Sequence, residues 1–324
     1  MQKTHSIPPR LMANDSYTFL MKELEKVDET IQEPLSGTDW PRDMPVITGG
    51  GILESIASVD VTYQSTGGDE DGIFFEAAND IPVIQADMSK SVARCFNFAE
   101  FLSFSTLERE KMMQVGRDPE TFLNKGIRLH CDKMIDRNVY KGFTRTSSSG
   151  LVNNVNISRI TAAPHTSGGT DTEWVNKTPD EILADVNRLI LATWEASEYD
   201  LTGMANHILM PPAQYAYLVK TKVGVTGDKS ILTFLKENNI GKDQGVEPFF
   251  APSTWCKNAG TGGKDRMVGY ANDVDRVRFD ITVPLQRIMT QADANSLAYL
   301  SPYVSQFSEI QWPYRTHAMY MDGI

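Results

Sequence analysis

The sequence predicts an α+β protein in which one large mixed body carries two elongated appendages without cores of their own. Three observations predict it. Residues 118–141 place apolar side chains at helical spacing, residues 59–64 alternate as a half-buried strand does, and residues 178–219 read as capped helix, apolar strand and short helix. With 324 residues the chain has ample material for one large domain or two modest ones.

Residues 1–45 read as an arm. Leu20, Leu24, Val27 and Ile31 give Thr18–Ile31 an amphipathic helical pattern, but prolines and polar residues surround it and end in Trp40-Pro41-Arg42-Asp43-Met44-Pro45. Gly49-Gly50-Gly51 reads as a hinge. Residues 52–90 read as a long hairpin: Val59, Val61 and Tyr63 alternate with Asp60, Thr62 and Gln64, Gly67–Gly72 forms the tip, and Ile73-Phe74-Phe75 and Ile81–Ile84 return. Two strands alone are marginal in water, so this ribbon needs a surface to lie on. From the residues alone, that surface is either the chain's own body or a partner.

Residues 91–104 form an apolar, strand-like run into a short helix that starts at Ser105–Glu108 and stops at Gly116. The long helix opens on Asp118-Pro119, a good N-cap and first position, and runs to about Lys141 before Gly142. Leu123, Ile127, Cys131, Met134 and Ile135 make its stripe, and Gly126 within it predicts close packing there, since glycine weakens a helix by about 1 kcal/mol. A polar connection at 161–177 leads to the capping box Thr178-Pro179-Asp180-Glu181 and the stripe Ile182, Val186, Leu189, Ile190, Thr193 and Trp194. His207–Met210 reads as a buried strand, Pro212–Val219 as a helix, and Asp228 as the cap of another. Val277, Phe279, Ile281 and Val283 alternate with polar residues as an amphipathic strand, and Ile310–Arg315 reads as extended, with Pro313 at an edge or bulge.

The chemistry-bearing motifs are negative. Gly49–Gly51 lacks the Lys-Ser/Thr of a phosphate loop, and Gly260–Asp265 has Asn258 and Asp265 where a glycine and a hydroxyl are required. The five histidines show no metal spacing, His130 and Cys131 point apart on a helix, and His207 reads as a satisfied core residue. No Gly-x-Ser-x-Gly elbow occurs. Asp69-Glu70-Asp71 reads as a solvated cluster, with an intersubunit contact or a cation site as alternatives. Three dispersed cysteines match neither a disulfide framework nor zinc and fit a reducing compartment. No run is long and apolar enough for a membrane, and a net charge of −11 opposes general nucleic-acid binding while suiting a container wall that must not hold its contents tightly.

The order of these pieces resembles the tailed-phage major capsid proteins of the Hong Kong 97-type fold. Trp40–Val46 precedes the hairpin, the Ser105–Gly116 helix precedes the Asp118–Gly142 spine, and Gly150-Leu151-Val152-Asn153-Asn154 follows it. The Thr178–Trp194 helix leads into Ile208-Leu209-Met210-Pro211-Pro212, and Pro313–Ile324 closes with a strand and Gly-Ile. The likeness spans nearly the whole chain. It implies an N-terminal arm at 1–51, an extended loop at 52–90, a peripheral domain at 91–160 and 275–324 with the spine helix at 118–141, and an axial domain at 161–274. It implies a structural protein without catalysis or cofactor, assembling in the host cytoplasm into hexamers and pentamers of an icosahedral head in the virion. The implied partners are other copies, packaged double-stranded DNA through weak non-specific contact, and portal, scaffold and decoration proteins, with no membrane. No N-terminal extension of the size of a fused scaffold is present, so the scaffold is expected as a separate protein or, less readily, as a segment cleaved away. Intersubunit contacts are expected at Trp40, Arg42, Tyr63, Asp69, Glu70, Asp71, Phe74, Phe75 and Arg315. Lys90, at the hairpin's base instead of its tip, argues against the family's lysine–asparagine cross-link. The rival readings are an encapsulin-like nanocompartment shell and a two-lobed α/β enzyme with a scattered site.

Overall fold

The computed structural model describes residues 37–66, 83–114, 119–166, 169–224, 229–293 and 297–324. The Thr18–Ile31 helix, the hairpin tip with Asp69, Glu70, Asp71, Phe74 and Phe75, the stop at Gly116 and the caps at Asp118 and Asp228 lie outside the described residues. In chain order the elements are α1 (Trp40–Asp43), β1 (Val46–Thr48), β2 (Ser55–Ser65), β3 (Ile84–Ser105), α2 (Thr106–Gln114), α3 (Pro119–Lys141), β4 (Ser158–Thr161) and α4 (Pro179–Ala196). There follow β5 (His207–Met210), α5 (Pro212–Lys220), α6 (Ile231–Glu237), α7 (Ile240–Asp243), β6 (Phe249–Pro252), β7 (Arg266–Tyr270), β8 (Phe279–Ile281), β9 (Val283–Arg287), β10 (Gln291–Asp293), β11 (Ala298–Ser308) and β12 (Ala318–Asp322).

One sheet has the order β10-β11-β3-β2, with β9 also on β11. Its spine is β3, which spans 22 residues. Ile84–Arg94 pairs antiparallel with β2, and Cys95–Ser105 pairs antiparallel with β11. The run at 91–104 is therefore the continuation of the hairpin's return strand. The ladder changes partner smoothly because Glu309 grips the changeover: Arg94 N donates to its Oε1 at 3.0 Å, and its own N donates to Arg94 O at 3.0 Å.

The second sheet has the order β4-β12-β7-β5-β6. Every residue of β5, β7 and β12 is buried, because helices cover both faces. Ile208, Met210, Met267, Met319 and Met321 pack with Ile182, Val186, Leu189 and Ile190 of α4. Leu209, Val268, Tyr270 and Tyr320, the alternate residues, pack with Ile135, Val139 and Tyr140 of α3. The closing strand β12 lies parallel to β4 and antiparallel to β7, second from one edge of this sheet. A small parallel pair, β1 with β8, joins the chain after α1 to the body.

Helix α3 has 23 residues, about 34 Å at ~1.5 Å per residue. Its end explains the Gly150–Asn153 motif. The last carbonyls of a helix lack intrahelical donors; Leu151 N donates to Val139 O at 2.8 Å, Val152 N to Tyr140 O at 3.1 Å, and Asn153 Nδ2 to Lys141 O at 2.8 Å. This fold-back requires Gly142 at φ +66° and Gly150, where a Cβ would stand 2.3 Å from the Tyr140 carbonyl carbon. Helix α4 carries the expected capping box, with Glu181 N donating to Thr178 Oγ1 at 3.4 Å and Thr178 N to Glu181 Oε2 at 2.7 Å.

Three expectations are corrected. Gly126 has open space around the position of a Cβ, with nothing within 4 Å, so close packing within the subunit is not its reason. Residues 277–283 do not form one strand but fall into β8 and the start of β9, and Asp280 and Thr282 are buried: Gln311 Nε2 donates to Asp280 Oδ2 at 2.5 Å and Thr282 Oγ1 to Gln306 Oε1 at 2.8 Å. The segment 310–315 makes a single bridge, Arg278 to Gln311, before a 3-10 turn. Beyond these, helix α2 buries none of its residues, and Leu107 and Met113 are exposed.

Candidate functional site: the assembly surface

The hairpin ribbon presents two unlike faces. Cross-strand pairing puts Ala57, Val59, Val61 and Tyr63 beside Val92, Lys90, Met88 and Ala86, and Ser65 beside Ile84. The opposite face holds Ser58, Asp60, Thr62 and Gln64 against Ser91, Ser89, Asp87 and Gln85. The apolar face is uncovered: Tyr63 is 74% exposed, Ile84 73% and Met88 70%. Lys90 pairs with Val59 in the ladder, away from the tip.

At its base the ribbon is held firmly. Gln306, 2% exposed, accepts from Leu53 N at 2.8 Å and donates through Nε2 to Leu53 O and Asn97 Oδ1, both at 2.7 Å. An apolar ribbon face open to solvent thus rises from a hydrogen-bonded base.

The junction before it is equally fixed. Trp40 packs edge-on against Phe279 at 6.1 Å, and its backbone N donates to Asp136 Oδ1 at 3.3 Å. Trp255 Nε1 donates to Asp136 Oδ2 at 2.7 Å. Burial nonetheless leaves the Asp136 carboxyl above its ordinary range. Asp43 is fully buried and binds Arg42 twice, at 2.6 and 2.8 Å, with His207 Nε2 at 3.1 Å and the Tyr140 hydroxyl. Tyr270 donates its hydroxyl to the Asp43 carbonyl. Burial pushes the Asp43 carboxyl up, but the hydrogen bonds from Arg42, His207 and Tyr140 outweigh it and hold it below the carboxylate range. His207 is thus the satisfied core residue its sequence context indicated. Trp40 and Arg42 are engaged within the subunit, Arg42 also donating to Pro252 O at 3.0 Å. Tyr63 and Arg315 are exposed on the surface, and the structure does not bring the four together. The Asp43 node escaped sequence reading because its partners other than the adjacent Arg42 lie 97 to 227 residues away; the neighbouring Arg42 was its only local signal.

Nothing in the described residues gathers three or more histidine, cysteine, aspartate or glutamate side chains around a metal position, and no described helix is long and apolar enough to cross a membrane. A cavity of about 390 Å³ lies beside Gln214, Lys264 and Ile324, where Gln214 Nε2 donates to Asp265 Oδ2 at 2.7 Å.

A family model for the major capsid protein matches residues 69–324. The chain belongs to the major capsid protein family. Solved capsids agree in fold. The capsid of Myoviridae phage XM1 is 18% identical, with a TM-score of 0.74 over 94% of this chain and 98% of that one. The capsid of a native GTA particle is 10% identical, with a TM-score of 0.61 over 98% and 99%. That of cyanophage P-SCSP1u is 13% identical, with a TM-score of 0.56 over 98% and 99%. No curated protein matches in sequence. The expected Hong Kong 97-type fold is thus the fold of this chain. As a major capsid protein it is a structural component of a phage shell built from many copies, and belongs to the virion.

Proposed function

We propose that copies of this chain form hexamers and pentamers that close into an icosahedral head around double-stranded DNA, and that the chain catalyses nothing. One observation carries the assembly mode: the hairpin's apolar face is uncovered although its base is rigid. Each hairpin lies across a neighbouring copy, so that shell stability sums many modest contacts. Tyr63, Arg315 and the tip residues Asp69, Glu70, Asp71, Phe74 and Phe75 make those contacts. Trp40 and Arg42 act indirectly, by fixing where the arm leaves the body. The arm is 1–51, the extended loop 52–90, the peripheral domain 91–160 with 275–324, and the axial domain 161–274, with β12 stitching the last two together. Contact with DNA is weak and non-specific at a net charge of −11. Portal, scaffold and decoration proteins complete the head, which assembles in the host cytoplasm.

Negative-stain electron microscopy of the purified protein, with sizing beside it, tests this reading. Closed shells or hexameric rings from the full chain, and a soluble body without shells when 60–85 is deleted, are expected. A full chain that stays monomeric, or normal shells from the deletion, would overturn it.

A further inference from the structure

The outward side of α3 carries a row of positive charge in a chain whose net charge is −11. Residues four apart on a helix stand on one face, about 6 Å apart at ~1.5 Å per residue. Lys125, Leu129, Lys133, Arg137 and Lys141 form such a row, about 24 Å long. All four cations are exposed, and no acidic residue interrupts them. Arg145 stands just beyond the helix end and is exposed as well.

The acidic residues of α3 are committed elsewhere. Glu120 pairs with Arg287, Asp132 has Arg128 one turn before it, and Asp136 turns inward to Trp40 N and Trp255 Nε1. On the adjacent β3, Glu100 pairs with His130. By contrast, Lys133 and Arg137 make no hydrogen bond or ion pair with another described residue. Lys141 lies over the Trp255 ring at 5.3 Å, a contact that orients its ammonium group without neutralising it. Like charges one turn apart work against a helix, so the row serves something other than the fold of α3. Between the cations it offers a single apolar side chain, half-buried Leu129, where a protein partner would need a desolvated anchor. A straight single file of cations suits instead a long polymer of regular negative charge. Duplex DNA is one, with a phosphate every ~3.4 Å of axis on each strand.

We propose that the Lys125–Lys141 row of α3 faces the lumen of the shell and holds backbone phosphates of the packaged duplex. This rests on the shell reading above and names the surface of its contact with DNA. Phosphate contacts carry no sequence information, as a wall that meets every part of a genome requires. The acidity of the rest of the chain keeps each contact weak, and the many copies of a shell make the sum count.

The test titrates a fluorescent duplex of about 30 base pairs onto the full chain, below the protein concentration that gives shells, across a series of salt concentrations. Each phosphate held contributes about −0.9 to the slope of log affinity against log salt. Lys133→Gln with Arg137→Gln is therefore expected to make that slope shallower by about 1.8 and to weaken binding at low salt by about tenfold or more. Lys220→Gln with Lys236→Gln, an equal change of net charge at exposed sites elsewhere, should leave the slope as it is. Melting temperature and shell formation should not move in either variant, because all four side chains are exposed. Closed wild-type shells, which hide their lumen, should leave an added duplex of about 200 base pairs unbound. Absence of binding at low salt, equal slopes in the two variants, or capture of the long duplex by closed shells would overturn the proposal, while wild-type shells seen by electron microscopy leave the capsid reading standing. Loss of assembly at an unchanged melting temperature in the Lys133/Arg137 variant would place a neighbouring copy on the row and equally overturn it.

Discussion

Strands β2 and β11 are each 11 residues long and pair antiparallel with successive halves of β3, yet one is bare and the other buried. Most of β11 is enclosed, with Phe307 and Ser308 at the centre of the body, whereas no residue of β2 is buried. Backbone pairing is the same in both. What differs is the company on the faces: β11 has α3 and the β1–β8 pair behind it, while β2 has solvent. Apolar side chains on β2 therefore contribute little to folding of the subunit, and in the proposed assembly their free energy is realised when another copy covers them. On that proposal the body serves folding and the ribbon association, and substitutions in the two should separate those properties.

The largest stability effect is expected in the body at Arg266. Its guanidinium is 4% exposed, binds Asp322 at 2.6 and 2.9 Å and donates to Val152 O at 2.7 Å, tying β7, β12 and the turn after α3 together. Arg266→Ala strands a buried carboxylate and should destabilise by about 3–5 kcal/mol in denaturant melts. A loss below ~1 kcal/mol would show that this tie is not structural. Ile190→Ala, in the fully buried interior between α4 and the sheet, should lose about 2–5 kcal/mol.

The same pair sets an acid limit. Burial pushes the Asp322 carboxyl up, but hydrogen bonds from Arg266 and Thr261 outweigh it and hold it below the carboxylate range. The folded value lies under the unfolded value of about 3.9. The stabilisation is therefore complete above about pH 4 and is lost as pH falls through the lower folded value. Asp43 acts in the same direction. Melting temperature should drop below about pH 4, and Asp322→Asn should flatten that drop; an unchanged acid slope would refute the assignment.

On the ribbon the order reverses. Val61→Ser with Met88→Ser should change the stability of the unassembled subunit by no more than about 0.5 kcal/mol per site, because both side chains are already in water. Shell formation should nevertheless weaken, seen as a higher protein concentration for assembly. Equal losses in folding and assembly would erase the distinction between ribbon and body.

Local signals made much of this legible. The capping box at Thr178, the apolar stripe of α4, the β5 strand and the length of α3 are written in neighbouring residues, and the structure follows them. The errors came from distance. Asp280 and Thr282 looked like an outward face, yet Gln311 and Gln306, 24 to 31 residues on, satisfy them inside the body. The changeover of β3 from β2 to β11 depends on Glu309, 215 residues from Arg94, and no pattern within β3 announces it. The Asp43 node was invisible for the same reason. Assembly contacts are harder still, since half of each lies in another copy: composition exposes the candidate side chains, such as Tyr63, but not their receptors.

Gly126 offers the finest discrimination between folding and association. It sits inside α3 with open space where a Cβ would project, and its φ is not in the left-handed region. Gly126→Ala should therefore stabilise the unassembled subunit by about 0.5–1 kcal/mol, through helix propensity and a less flexible unfolded chain. If the glycine persists for a reason outside the subunit, the same variant will melt higher yet assemble less well, because a methyl group holds a neighbouring copy away from α3. If it melts higher and assembles normally, no neighbouring copy approaches α3 closely at this point.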